Sequence, residues 1–240
     1  MKTRRFFLPF SLSGKKELLV ADWPTFNRLK NVLRIEPGEE INVFNSREGE
    51  YRARVNLLSK EKIVLEILEK KENKSEPEIK VNLFQSVIKK DKFEWVVEKS
   101  TEAGVSSITP IITQRTVKTN LNFERLKKIA QEATEQSGRI LVPQINEILD
   151  FEDLMKKKSL SLKNNSFSFL LDFSGKPIRE VISKIKKFEE VNFFVGPEGG
   201  FSEEEISLVK NEGVEILSFG PRIFRSETIG AVVTAFILNV

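Results

Sequence analysis

Along the first seventy or so residues the apolar positions come in short alternating runs. Arg4 to Leu8, Ile41 to Phe44, Tyr51 to Leu58 and Lys62 to Leu68 carry the near-period-two pattern of strands with one buried face. Turn signals separate them at Pro37-Gly38 and at Ser46 to Gly49. Asp22 followed by Pro24 is the order of an N-cap and an early proline, and predicts a short helix to about Val32 and Leu33. Five or so short strands in this stretch read as a small barrel. The segment Glu69 to Glu78, EKKENKSEPE, holds no apolar residue and is the expected linker, which divides the chain into domains 1–72 and 73–240.

Beyond the linker, strand and helix patterns alternate. Val81 to Val87, Ile108 to Thr113, Ser166 to Asp172, Val191 to Val195 and Val214 to Ser218 read as strands. Asp91 with Glu94 predicts a capping box at the start of a helix that Gly104 closes. Asn122 to Ser137, followed by Gly138, and Pro177 to Lys187 read as further helices. Ser202 with Glu205 predicts a second capping box, and an almost wholly apolar helix runs to Val240. Such alternation implies a mostly parallel sheet covered on both faces, so the expected class is α+β with two domains.

Composition narrows the chemistry. A chain of 240 residues, 40% hydrophobic and 31% charged, folds without needing a metal or disulfide. It contains no Cys and no His. Thiolate nucleophiles, zinc ribbons, Ser-His-Asp triads and imidazole acid-base steps are therefore excluded, and proton handling falls to Asp, Glu, Lys, Tyr51 or water. No run approaches the roughly 18 apolar residues of a membrane span, and the basic start has no apolar h-region after it, so the expected setting is cytoplasmic, without membrane or metal. Up to Glu72 there are 15 Lys and Arg against 11 Asp and Glu; beyond it the count is 24 against 24. The excess in the first third suits a polyanion partner, or only solubility.

Two glycine-bearing loops end strands in the last fifty residues, Gly196 to Gly200 and Phe219 to Arg222. An open α/β sheet places its ligand at such carboxyl ends; the plainer reading is a pair of tight turns. Neither loop is GxGxxG or GxxxxGK[ST], and Glu198 with Glu203, Glu204 and Glu205 opposes a phosphate. A nucleoside ligand without phosphate, or one with positive charge, suits these loops better.

Several motifs in order along nearly the whole chain resemble the RsmE family. They are Arg4 to Phe7 (RRFF), Val32 to Arg34 (VLR), Glu98 to Val105 (EKSTEAGV), Ile108 to Pro110 (ITP), Glu135 to Arg139 (EQSGR), Gly196 to Glu205 (GPEGGFSEEE) and Gly220 to Thr228 (GPRIFRSET). The resemblance implies a PUA-like β-barrel, a SPOUT methyltransferase domain with a C-terminal trefoil knot, and a homodimer. It also implies an activity: methylation of N3 of a decoding-region uridine in 16S ribosomal RNA, with S-adenosylmethionine as cofactor. The sequence departs from the family pattern at Asn31, Gln114, Leu171 to Phe173 and Ser226.

The resemblance and the loops together give candidate residues. The cofactor is expected against Leu171, Asp172, Val195, Gly196, Gly199, Gly200, Leu217, Phe219, Gly220, Ile223, Phe224 and Ser226. Methyl transfer from a sulfonium needs no metal and no covalent enzyme intermediate, and rests on orientation. The N3 proton needs an acceptor, for which Glu198 and Glu227 are the candidates; Arg225 is placed to stabilise charge on the uracil oxygens. Glu227 equally suits capping of the last helix. Arg4, Arg5, Arg34 and Arg115 are the candidate RNA contacts, with a solvated surface as the alternative. Two other functions stay open: a SPOUT enzyme acting at another RNA position, and a noncatalytic dimer that only binds ribosomal RNA.

Overall fold

The computed structural model describes residues 4–117, 120–156 and 165–239. It forms two compact units, Met1–Glu76 with Thr134–Leu141, and Pro77–Ala133 with Val142–Val240.

The first unit contains strands β1 (Arg5–Phe7) and β2 (Glu17–Val20), helix α1 (Trp23–Asn27), a π-type turn (Arg28–Val32), and strands β3 (Glu40–Asn45), β4 (Gly49–Leu58) and β5 (Ile63–Lys71). The sheet order is β1-β3-β4-β5-β2, with β1 parallel to β3 and the other pairs antiparallel. Asp22 caps α1 as its sequence predicts, its Oδ2 accepting from Thr25 N at 3.1 Å. β2 escaped the pattern because its outward position is Leu19, 57% exposed, so polarity does not mark the alternation. β5 continues to Lys71, and Glu69, Lys70 and Lys71 pair with Arg52, Tyr51 and Glu50; the expected linker therefore begins inside a ladder.

The second unit begins with β6 (Lys80–Ser86), α2 (Lys90–Ala103), β7 (Ser107–Ile112), α3 (Phe123–Ser137), β8 (Gln144–Ile145), β9 (Leu149–Asp150) and α4 (Phe151–Lys156). It continues with β10 (Ser166–Pro177), α5 (Ile182–Ile185), β11 (Glu190–Val195), α6 (Glu203–Asn211), β12 (Glu215–Ser218) and α7 (Ser226–Asn239). The sheet is parallel, in the order β12-β10-β11-β6-β7-β8, with β9 also beside β7. Alternate residues feed two cores. Leu83, Phe169 and Phe193 enter one, while Phe84, Leu170 and Phe194 enter the other. Each such burial contributes about 1.5–3 kcal/mol, which is why these strands are apolar on both faces.

Two local expectations are corrected. The Asp91/Glu94 box does not form: the N-cap of α2 is Lys89 without a side-chain bond, and Glu94 accepts from Arg125 Nε at 2.6 Å instead. The helix expected over Pro177 to Lys187 is broken, because Pro177 still pairs with Ser218 in the sheet; a 3-10 turn (Ile178–Glu180) and the short α5 follow. Ile178, Val181 and Ile185 are nonetheless buried, as their spacing requires.

The last turn of α3 and the loop after it belong to the first unit, where a buried ionic network holds them. Arg5 uses all five of its N–H groups there, on both Glu50 oxygens and on the carbonyls of Thr134, Glu135 and Arg139. Glu135 accepts from Arg28 through both oxygens and from Phe7 N. Glu76 accepts from Arg139 and from the amides of Ile140 and Leu141.

Candidate functional site

Three segments at the carboxyl ends of parallel strands enclose a cavity of about 360 Å³ in the second unit. The two glycine loops follow β11 and β12, which are not neighbours in the sheet: β10 lies between them and supplies a third wall, Leu171, Asp172 and Phe173. A slip in the ladder creates that wall. Leu171 and Lys176 both pair with Leu217, so residues 172–175 leave the sheet. Ser174 N and Oγ both donate to Asp172 Oδ1, which closes the excursion. At its base a Cβ on Gly175 would lie 2.6 Å from the backbone of Ile216 and Leu217, so only glycine fits.

The first loop is pinned at both ends. Val195 is buried, and Phe201 packs its ring against Phe151 in the core. Ser202 then caps α6 through the predicted reciprocal box, donating its amide to Glu205 Oε2 at 2.8 Å and accepting from Glu205 N at 3.2 Å. Between these anchors Gly199 O accepts from Arg115 Nη1 at 2.6 Å, and Gly200 adopts φ +69°. The second loop is organised by Phe219, which meets Phe224 and Phe236 edge-on. A polar relay ties the two loops together: buried Gln85 Nε2 donates to Ser226 Oγ at 3.0 Å, and Ser226 Oγ donates to Gly196 O at 2.6 Å.

Charge gathers at one side of the cavity. Lys92 of α2 places Nζ 3.0 Å from Glu198 Oε1 and 3.5 Å from Glu227 Oε2. The backbone amide of Glu198 and then Lys92 hold the Glu198 carboxyl below its ordinary range, against the opposing effect of burial. The Glu198 contact raises Lys92 in turn. Glu227 is different: its side chain is 13% exposed, and Oε2 is buried without a hydrogen bond. Arg225 lines the cavity and is exposed, and its guanidinium has no partner among the described residues.

Most sequence-derived candidates converge here. Leu171, Asp172, Val195, Gly196, Gly200, Phe219, Ile223, Phe224, Ser226, Glu198, Arg225 and Glu227 all line the cavity. Gly199, Leu217 and Gly220 do not: Gly199 is engaged by Arg115, Leu217 is fully buried in the core, and Gly220 lines a separate cavity with Arg179 and Phe236. Lys92 and Gly175 were missed. Lys92 sits in a helix whose period speaks only of packing, and Gly175 shows its constraint only once β12 is placed beside it.

The arginines fare unevenly. Arg5 is withdrawn as an RNA contact, because its side chain is 11% exposed and every donor is satisfied internally. Arg4 is half-exposed, donating to Leu33 O and pairing with Glu39 at 3.6 Å. Arg34 is exposed at φ +51°, without a partner among the described residues. Arg115 braces the first loop from an exposed position.

A parallel sheet with its cavity at the carboxyl strand ends, lined by two glycine loops and carboxylates, is what comparison with known proteins assigns to a class. Residues 74–238 match the family model described as an RNA methyltransferase domain, and residues 26–68 match the RNA methyltransferase PUA domain. The chain belongs to this RNA methyltransferase family and, within it, to the RsmE family. The ribosomal RNA small subunit methyltransferase E of Rickettsia conorii is 30% identical over 240 residues, covering 98% of this chain and 94% of the relative. Its Bacillus subtilis counterpart is 28% identical over 232 residues, covering 87% and 88%. The Neisseria gonorrhoeae enzyme of the same name, solved bound to S-adenosyl methionine, has a TM-score of 0.86 at 27% identity over 98% of this chain and 96% of that one. A putative methyltransferase from Legionella pneumophila in complex with SAM gives 0.85 at 27%, over 99% and 97%. Among the described residues no helix is long and apolar enough to cross a membrane.

Proposed function

We propose that this chain methylates N3 of a decoding-region uridine in 16S ribosomal RNA, using S-adenosylmethionine. The observation that carries the reading is the cavity with carboxylates at one side, Glu198 and Glu227, on the C-terminal face of the sheet in a member of the RsmE family. The lining fits the cofactor. Its volume lies in the range of small-molecule sites, Phe173, Phe219 and Phe224 offer apolar surface, and Asp172, Glu198 and Glu227 suit a ligand carrying sulfonium and ammonium charge. When bound, the cofactor supplies an electrophilic methyl group.

The protein's own residues do the rest. Leu171, Val195, Gly196, Gly200, Ile223 and Ser226 orient the cofactor, and orientation supplies roughly 7–11 kcal/mol of barrier lowering in such reactions. Glu227 accepts the N3 proton, and Arg225 faces the charge that develops on the uracil oxygens. Arg4, Arg34 and Arg115 contact RNA phosphates. Ala231, Val232, Ala235 and Phe236 of α7 stay partly exposed and pack against a second copy, giving a homodimer. The chain leaves β12 at the sheet edge and returns to α7, which packs on α2, β6 and β11; that return supports a SPOUT-type knotted C-terminus.

Incubation with labelled cofactor and either small ribosomal subunits or naked 16S RNA, followed by nucleoside analysis, tests the reading. Label in 3-methyluridine is expected. Label in a ribose or another base, or none, overturns it.

A further inference from the structure

Helix α2 buries Phe93, Val96 and Val97 in the core, and Lys92 is the residue of this helix that lines the cavity. Its ammonium group lies between the loop after β11 and the start of α7, touching one carboxylate from each. Those two contacts, taken together, keep the Glu198 and Glu227 oxygens within about 6.5 Å of one another. Two carboxylates so close repel, and a cation between them offsets that repulsion.

We propose that Lys92 is a positioning residue: one ammonium group fixes Glu198 at the cavity mouth and keeps the neighbouring Glu227 available as the carboxylate that accepts the N3 proton. The inference rests on the uridine-N3 reading given above.

The asymmetry of the two contacts supports this division of labour. Glu198 takes the short contact and is also held by its own backbone amide, so it is a weak base committed to structure. Glu227 Oε2 has ion-pair contact only, is buried, and makes no hydrogen bond that a proton transfer would have to break. Other charged groups around the cation are Arg222 at the end of the second loop and Arg225 after it, Asp172 in the excursion within β10, and Lys89 at the N-cap of α2, which adds to the field on Glu198. None of these is within ion-pair distance of both carboxylates among the described residues; Lys92 is.

The step balances without another reactant. The proton leaves N3 for the Glu227 carboxylate, the N3 electron pair forms the new nitrogen–carbon bond, and the methyl–sulfur bond breaks with its pair remaining on sulfur. Product release and loss of the proton from Glu227 to water restore the starting site.

The test uses the full chain with small ribosomal subunits and labelled S-adenosylmethionine, over about pH 5.5 to 9.5, for the parent, Lys92→Met and Lys92→Arg. Lys92→Met is expected to lower kcat by about 10- to 100-fold, to leave cofactor affinity by calorimetry within about twofold, and to move the acidic limb of the kcat profile up by about one pH unit. Lys92→Arg should restore the limb, since the guanidinium is also a cation. A folded Lys92→Met protein whose acidic limb coincides with the parent's overturns the inference while leaving the uridine-N3 reading intact. If the parent itself makes no 3-methyluridine, that reading fails and takes the inference with it. Should Lys92→Met not fold, Lys92→Gln carries the same expectation, and the same two results decide it.

Discussion

Two of the clusters of cations and carboxylates among the described residues could not be told apart by residue type alone. In the first unit Arg5, Arg28 and Arg139 meet Glu50, Glu135 and Glu76 through two-pronged or multiple hydrogen bonds. In the second unit a single lysine meets Glu198 and Glu227, and one buried oxygen of Glu227 is left without a hydrogen bond. Satisfaction separates them. A network whose donors and acceptors are matched rigidifies a structure, whereas a carboxylate left short of partners at a cavity retains the capacity to take a proton.

The largest expected effect comes from breaking the matched network. Arg5→Ala leaves Glu50 buried without its principal partner, and denaturant unfolding should register a loss of about 3–5 kcal/mol. Cofactor affinity of the folded fraction should be unchanged; a loss under 1 kcal/mol would show that the network is weaker than its geometry implies. Glu227→Gln tests the other cluster and should do the reverse. Turnover should fall about 10²-fold, equivalent to about 2.7 kcal/mol, with stability equal to or above the parent's because a buried charge is removed. Unfolding midpoints and single-turnover rates on the same samples would reveal a conflict with this division.

A smaller effect is expected at Glu48, also in the first unit. It accepts from Ser11 Oγ and from the amides of Leu12 and Ser13, and these bonds lower its carboxyl from 4.5 to about 2. A depressed folded-state value stabilises the fold above about pH 4.5 and loses that contribution as pH falls towards 2. The parent should therefore lose more stability than Glu48→Gln between about pH 5 and 2.5, as read by acid titration of the circular dichroism signal. Parallel curves for the two proteins would remove Glu48 from the acid response. The smallest effect is expected from Arg34→Ala, which should flatten the dependence of log RNA affinity on log salt by about 0.7 to 0.9 and leave stability alone. Equal slopes for variant and parent would take Arg34 out of the RNA interface.

What could be read along the chain was whatever short stretches of sequence determine. The Ser202/Glu205 box, Gly104 and Gly138 at helix ends, and the loop from Gly196 to Gly200 are local signals, and the structure has them in place. Positions whose meaning depends on a distant partner were not legible. Arg5 beside Phe6 and Phe7 has the look of an RNA-binding strand until residues 134–139 are brought against it. Glu94 looks like a cap until Arg125 of α3 draws it away. The insertion of β10 between β11 and β12 changes which walls the cavity has, and no pattern within any of the three strands encodes that order.

The membership of residues 134–141 in the first unit also has a consequence in time. Domains generally complete their folding in the order in which they are synthesised, at about 5–20 residues per second. Here the carbonyls and carboxylate that engage Arg5, Arg28 and Phe7 N are made only after the whole of β6, α2 and β7. The interval covers the 65 residues 77–141, or about 3 to 13 s of elongation at those rates. Throughout it Arg28 and Glu76 lack Glu135 and Arg139 while Arg5 keeps only Glu50, so the earlier part of the protein is completed by the later part, and a pause in translation between residues 77 and 141 prolongs that incomplete state.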